Sequence, residues 1–223
     1  VYAEDNATIT GNTVTHSAAP KSYSGLELAR LRFATVVSHN RIVNTGASDN
    51  NGIYLRDGVY GTVDTPVRVF NNDVILNGAA SVYARVFFAS NDIRNVEVAY
   101  NTMRVSGSEA YLLSTTGKYN PQNVFVHDNI LANACTKTAT VDKFWNETDI
   151  DGYQLKRNAL QGTVDKIVTK DDSNFAAAPQ FASETNSRLA SCEGLNVGLP
   201  CSFVTDDIDG NARPATALTV GAY

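Results

Sequence analysis

The segment VRVFNNDVILNG, residues 67–78, alternates apolar and polar positions on both sides of a paired asparagine. That pattern predicts a strand, a tight turn and a second strand. Near-copies recur along the chain: ATITGNTVTH from residue 7, ATVVSHNRIVNTG from 34, NVEVAYNTMRVSG from 95, NVFVHDNILANA from 123 and GYQLKRNALQG from 152. Aligned on one asparagine each, they place Asn12, Asn40, Asn72, Asn101, Asn129 and Asn158 at steps of 28, 32, 29, 28 and 29 residues. Three residues earlier stand Ile9, Val37, Val69, Val98, Val126 and Leu155; two residues later stand Val14, Ile42, Val74, Met103, Leu131 and Leu160. Side chains alternate along a straight strand, so positions five apart cannot share a face. They can share one if the asparagine sits in a bend that re-aims the chain.

A third apolar patch follows each pair: SGLELAR from 24, NGIYLRD from 51, VYARVFF from 82, EAYLLST from 109 and TVDKFW from 140. Three short strands per period predict an all-β chain, a right-handed parallel β-helix of three strands per coil and about six coils. One coil cannot bury its own apolar row, whereas stacked coils share a continuous core. Successive coils lie about 4.8 Å apart, close enough for equivalent asparagine amides to bond along the stack. The six asparagines are therefore expected to be structural. The repeat fades after residue 165, which divides one domain into coils (1–170) and a loop-rich C-terminal capping segment (171–223). A cap is expected because a solenoid end leaves strand edges and core open. Phe175, Phe181, Leu189 and Val220 are its expected anchors.

Composition narrows the class. A net charge of -5 supplies no basic excess for neutralising phosphates, so nucleic acid is not an expected partner. No apolar run is long enough for a membrane span. The opening VYAEDNATI carries no signal peptide and reads as a mature chain or a piece of a longer one, attached to further coils or domains. Cys192 and Cys201 flank a short Gly/Pro-containing loop and could close it as a disulfide, which would point to an oxidising compartment; Cys135 is expected to be an inert filler.

The asparagine-turn coils resemble the right-handed parallel β-helix proteins of the pectate-lyase-like superfamily. The ending DDIDGNARPATALTVGAY is similar to the C-terminal segment of large bacterial extracellular members. The resemblance implies a secreted or cell-surface location and covers members that are lyases, hydrolases, epimerases and non-catalytic surface proteins. Fold alone does not choose among them.

The resemblance also implies a substrate groove along the face of NGIYLRD and its equivalents. Alternation turns Leu26, Leu28, Ile53 and Leu55 inward, leaving Glu27, Tyr54, Arg56, Tyr83, Arg85, Tyr111 and, less firmly placed in register, Asp142, Lys143 and Trp145 outward. Aromatic rings stack on sugar faces and arginines fork onto uronate carboxylates, so Tyr54, Arg56, Tyr83, Arg85, Tyr111 and Trp145 form a candidate polysaccharide surface. A lyase needs a base and cationic help for the enolate, roles open to Arg56, Arg85 or Glu27. A hydrolase needs two facing carboxylates, which Glu27 offers only if Asp57 turns into the groove. A structural or carbohydrate-binding module leads; a lyase, ahead of a hydrolase, is the alternative. No cofactor is expected. Calcium has one candidate loop, Asp206, Asp207 and Asp209, which lacks the spacing of an EF-hand and reads first as an Asx-rich turn. His16, His39 and His127 are expected to pack rather than to act as a metal or catalytic pair.

Overall fold

The computed structural model describes residues 5–17, 23–46, 50–77, 84–89, 92–106, 110–115, 121–133, 152–162, 171–216 and 218–223. The first coil is β1 (Thr8–Thr10), β2 (Thr13–His16) and β3 (Tyr23–Ala29). The second is β4 (Val36–Ser38), β5 (Arg41–Asn44) and β6 (Asn50–Arg56), followed by a two-residue strand, β7 (Val59–Tyr60). β8 (Val67–Phe70), β9 (Asp73–Asn77) and β10 (Ala84–Ala89) form the third coil. β11 (Ile93–Ala99), β12 (Thr102–Ser106) and β13 (Ala110–Thr115) form the fourth. Then come β14 (Gln122–His127) with β15 (Ile130–Asn133), and β16 (Tyr153–Lys156) with β17 (Ala159–Gln161). The tail adds β18 (Phe175–Ala176) and a hairpin of β19 (Gln180–Ser183) and β20 (Asn186–Ser191).

These strands make a parallel β-solenoid with three sheets. The first stacks β1-β4-β8-β11-β14-β16, the second runs from β2 through β5, β9, β12, β15 and β17 to β18, and the third is β3-β6-β10-β13. Among the described residues four coils carry all three strands, where about six such coils were expected; two more contribute a first and second strand only.

The corner between first and second sheets explains the sequence pattern. Gly11, His39, Asn71, Tyr100, Asp128 and Arg157 have φ between 51° and 69°. A left-handed residue is costly outside glycine, and Asn, Asp and His tolerate it best. Here it turns the chain so that the residues three before and two after each asparagine both face inward. Ile9, Val37, Val69, Val98, Val126 and Leu155 stack in register through the first sheet. Val14, Ile42, Val74, Met103, Leu131 and Leu160 stack through the second. With Leu28, Ile53 and Leu55 of the third sheet they form one buried core, on which Val14 and Leu26 pack.

The asparagines form a directional ladder. The backbone N–H and Nδ2 of each donate to Oδ1 of the next: Asn12 to Asn40, Asn40 to Asn72, Asn72 to Asn101, Asn101 to Asn129 and Asn129 to Asn158. Nδ2 also reaches back to a carbonyl of the preceding coil, as from Asn40 to Ile9 and from Asn101 to Val69. Asn174 is a seventh rung, accepting from Asn158 only 16 residues away. Its own Nδ2 donates to the carbonyls of Leu155 and Asp171.

β18 pairs with β17 and extends the second sheet by one strand. The rest of the tail runs back along the flank, over the corner and the outer face of the second sheet. Leu195 and Val220 pack on Ile130, Ala132 and Ala159, with Phe175, Phe181 and Leu189 beside them. Val204 and Leu218 pack on Phe70, Ala99 and Tyr100. Cys201 packs against this second cluster while Cys192 is exposed on a turn, so the expected staple is not formed and both thiols are free.

Candidate functional site

On the third sheet, alternation places Leu28, Ile53 and Leu55 in the core and leaves Glu27, Tyr54 and Arg56 facing outward. Glu27 pairs in register with Tyr54, one coil apart. Arg56 Nη1 donates to Glu27 Oε1 at 2.6 Å, and its Nε donates to Asp57 Oδ2 at 3.2 Å. Asp57 can take part because its φ of 57° turns the chain at the end of β6. The guanidinium lies 6.0 Å from the centroid of the Tyr54 ring. These contacts are half-exposed, with 39% of the Arg56 side chain and 47% of that of Glu27 accessible. The Glu27 hydrogen bond, together with the Asp57 charge, holds the guanidinium pKa above its usual value. Two carboxylates therefore do share this patch, bridged by one cation.

The register revises the other half of the expected surface. Arg85 pairs with Asn51, not with the coil neighbour of Arg56, and Tyr111 pairs with Arg85. Phe87 pairs with Ile53, so the backbone phase of Arg85 is that of Ile53 rather than of Tyr54. Arg56 and Arg85 are thus offset by five residues along the strands rather than set side by side on neighbouring coils. Tyr83, Cys135, Asp142, Lys143 and Trp145 lie outside the described residues.

A second polar cluster lies outside the surface expected from the sequence. His127 is buried, yet both ring nitrogens meet carboxylates: Nδ1 lies 2.7 Å from Asp128 Oδ2 and Nε2 3.1 Å from Glu97 Oε1. Arg157 donates Nε and Nη2 to the two Asp128 oxygens at 3.0 and 2.8 Å, and Arg68 Nε lies 3.6 Å from Glu97 Oε2. Charge therefore alternates from Arg68 through Glu97, His127 and Asp128 to Arg157, across four successive coils. Burial opposes a charged imidazole, but the bonds to Asp128 and Glu97 outweigh it and raise the His127 pKa. Phe125 stacks on the ring at 4.1 Å. The signal was present in the numbering. Glu97 and His127 precede their asparagines by four and two residues, which places both on the outer face of adjacent first-sheet strands.

The acidic loop serves its own fold. Asp207 Oδ1 accepts from the N–H groups of Asp209 and Asn211, the geometry of an Asx-type turn. Asp206 Oδ1 faces His39 Nε2 at 3.1 Å, and Asp209 faces Arg188 at 2.6 Å. The three carboxylates thus meet three different partners. Among the described residues no group of three or more His, Cys, Asp or Glu side chains is arranged to hold a metal ion. The neighbouring Arg213 donates to the carbonyls of Asp206, Thr219 and Gly221 and to Asn71 Oδ1, 4.8 Å from the Tyr100 ring centroid. The D-x-D-G-x-x-R stretch is in this way the clasp that fixes the tail to the corner.

Fold and surface together define a parallel β-solenoid with a flank-bound tail and one half-exposed Tyr/Arg/Glu patch. Among the described residues no helix is long and apolar enough to cross a membrane. Comparisons with protein-family models, with curated proteins and with solved structures returned no match.

Proposed function

We propose that this chain is a secreted or cell-surface solenoid module of the pectate-lyase-like kind, structural in role, that binds carbohydrate on the outer face of its third sheet. The observation that carries the reading is the placement of Tyr54 beside the Arg56–Glu27 pair. A tyrosine ring offers a stacking surface for a sugar, and the flanking fork and carboxylate offer donors and acceptors for its hydroxyls. The same geometry favours binding over elimination. Arg56 is already matched by Glu27 and Asp57, and a developing enolate would have to displace both.

Isothermal titration against neutral and acidic oligosaccharides, with Tyr54→Ala as the control, tests this. Binding that Tyr54→Ala abolishes without shifting the melting curve supports the reading. Absence of binding to every glycan would leave a mechanical rod. Near-ultraviolet absorbance growing with alginate, pectate or chondroitin would make the protein a lyase instead.

A further inference from the structure

The asparagine ladder has two unlike ends. At the C-terminal end Asn174 spends Nδ2 on the carbonyls of Leu155 and Asp171, and no further rung is called for. At the other end Asn12 is exposed, whereas Asn40, Asn72, Asn101, Asn129 and Asn158 are completely buried. Every later rung accepts two hydrogen bonds on Oδ1 from the rung before it. Asn12 Oδ1 accepts none from the described residues. Its Nδ2 makes a long bond of 3.3 Å to Thr10 O within its own turn, where Asn40 Nδ2 reaches the preceding coil's Ile9 O at 2.9 Å. Around it, among the described residues, β1, β2 and β3 each pair on one side only. Val14 and Leu26, which close this end of the core, are only partly buried.

We infer that the face formed by β1, β2, β3 and Asn12 is a docking surface for one further parallel β-coil of the same polypeptide, with an asparagine at its corner. That coil would donate a backbone N–H and a side-chain amide to Asn12 Oδ1, accept Asn12 Nδ2 on a carbonyl, and cover Val14 and Leu26. Hydrogen-bond polarity selects this occupant. A second copy docked end to end by the same face would set one Asn12 Oδ1 against the other, acceptor against acceptor. A second copy docked head to tail would need donors from Asn174, and those are engaged. Edge strands with unpaired backbone groups are the ordinary place for strand addition, and here the amide ladder fixes register and direction as well.

The test grafts a coil onto the chain. A copy of residues 34–66 fused directly before Ala7 sets the copied Asn40 32 residues ahead of Asn12, the step found between Asn40 and Asn72. A copy of residues 67–95 sets the copied Asn72 29 residues ahead, the step found between Asn72 and Asn101. Melting, and hydrogen exchange of the β1–β3 amides, are compared with the parent chain. The expected result is an upward shift of a single melting transition and about tenfold or greater slowing of first-coil exchange. Asparagine-to-alanine substitution in the grafted coil should reverse most of the shift. Grafts that both misfold, or that are digested back to an unchanged parent core, would overturn the inference. So would a parent chain that sediments as a dimer with protected β1–β3 amides, because a second copy would then occupy the face.

Discussion

His127 and Glu97 sit on adjacent strands of the first sheet, Nε2 3.1 Å from Oε1, while Asp128 holds the other ring nitrogen at 2.7 Å. A neutral imidazole has one N–H and cannot donate to both carboxylates, so the arrangement calls for the cation. The folded-state pKa is accordingly raised. A raised pKa contributes stability that is fully present below the unfolded value of about 6.5 and is lost as pH rises through the folded value. The melting midpoint should therefore fall as pH rises above about 6.5 and through the folded value. His127→Gln should be less stable at pH 6 and show a flatter profile above it. Parallel profiles for the two proteins would mean that His127 is neutral in the fold.

The ladder makes a positional prediction. Asn101→Ala removes donors to Asn129 Oδ1, Val69 O and Ala99 O, and removes the acceptor for Asn72, all within buried structure. The expected cost is about 1–3 kcal/mol or somewhat more, since buried groups are left unpaired. Asn12→Ala, at the exposed end, should cost clearly less. Equal losses in urea melts of the two variants would show that the rungs act independently of burial.

The coil pattern was legible because it is short-range chemistry repeated. An asparagine after a left-handed residue, with aliphatic partners three before and two after, reads the same in every coil. Asn174 escaped because its rung follows after 16 residues rather than 28 to 32. VYARVFF alternates acceptably in either phase, and only the pairing of Phe87 with Ile53 fixes the backbone phase of Arg85. The tail's path depends on contacts about a hundred residues apart or more, such as Tyr100 Oη to Leu199 O at 2.6 Å, 99 residues on, which no local pattern encodes. The charged row through His127 is nearer in the repeat, Asp128 beside it and Glu97 one coil away, but outward residue types alone do not show that their side chains pair.

The tail's last residues dock by close approach. Gly221 has φ of 88°, and a Cβ there would meet Ile130 Cδ1 at 2.7 Å and Thr102 Oγ1 at 2.8 Å. Beside it Ala222 N donates to Thr102 Oγ1, and Tyr223 Oη accepts from Arg41 while donating to the buried Asp73 at 2.7 Å. Gly221→Ala should strain both the backbone and the fit. It should loosen residues 195–223 selectively, seen as faster proteolysis within the tail at temperatures where the coils still resist. Arg213→Ala, which strands three carbonyls and the Asn71 amide oxygen, should do the same. Cleavage of coils and tail at one common rate would show that they unfold as one unit.

The patch on the third sheet gives the sharpest functional contrast. Glu27 and Asp57 compete with any acidic ligand for Arg56. Glu27→Gln should therefore tighten binding of a uronate-containing oligosaccharide severalfold and steepen its salt dependence, since one guanidinium charge is then less compensated. Arg56→Ala should weaken the acidic ligand and leave a neutral one nearly unchanged. Tyr54→Ala should weaken both, because stacking does not depend on ligand charge. Arg85, offset by five residues from Arg56 in the sheet register, should combine additively with Arg56 in a double mutant. Titrations of the four single variants and the double variant, against a neutral and an acidic glycan at two salt concentrations, separate these outcomes. A Glu27→Gln variant that binds the acidic glycan more weakly would show that the carboxylate itself contacts the sugar, and that Arg56 serves only to orient it.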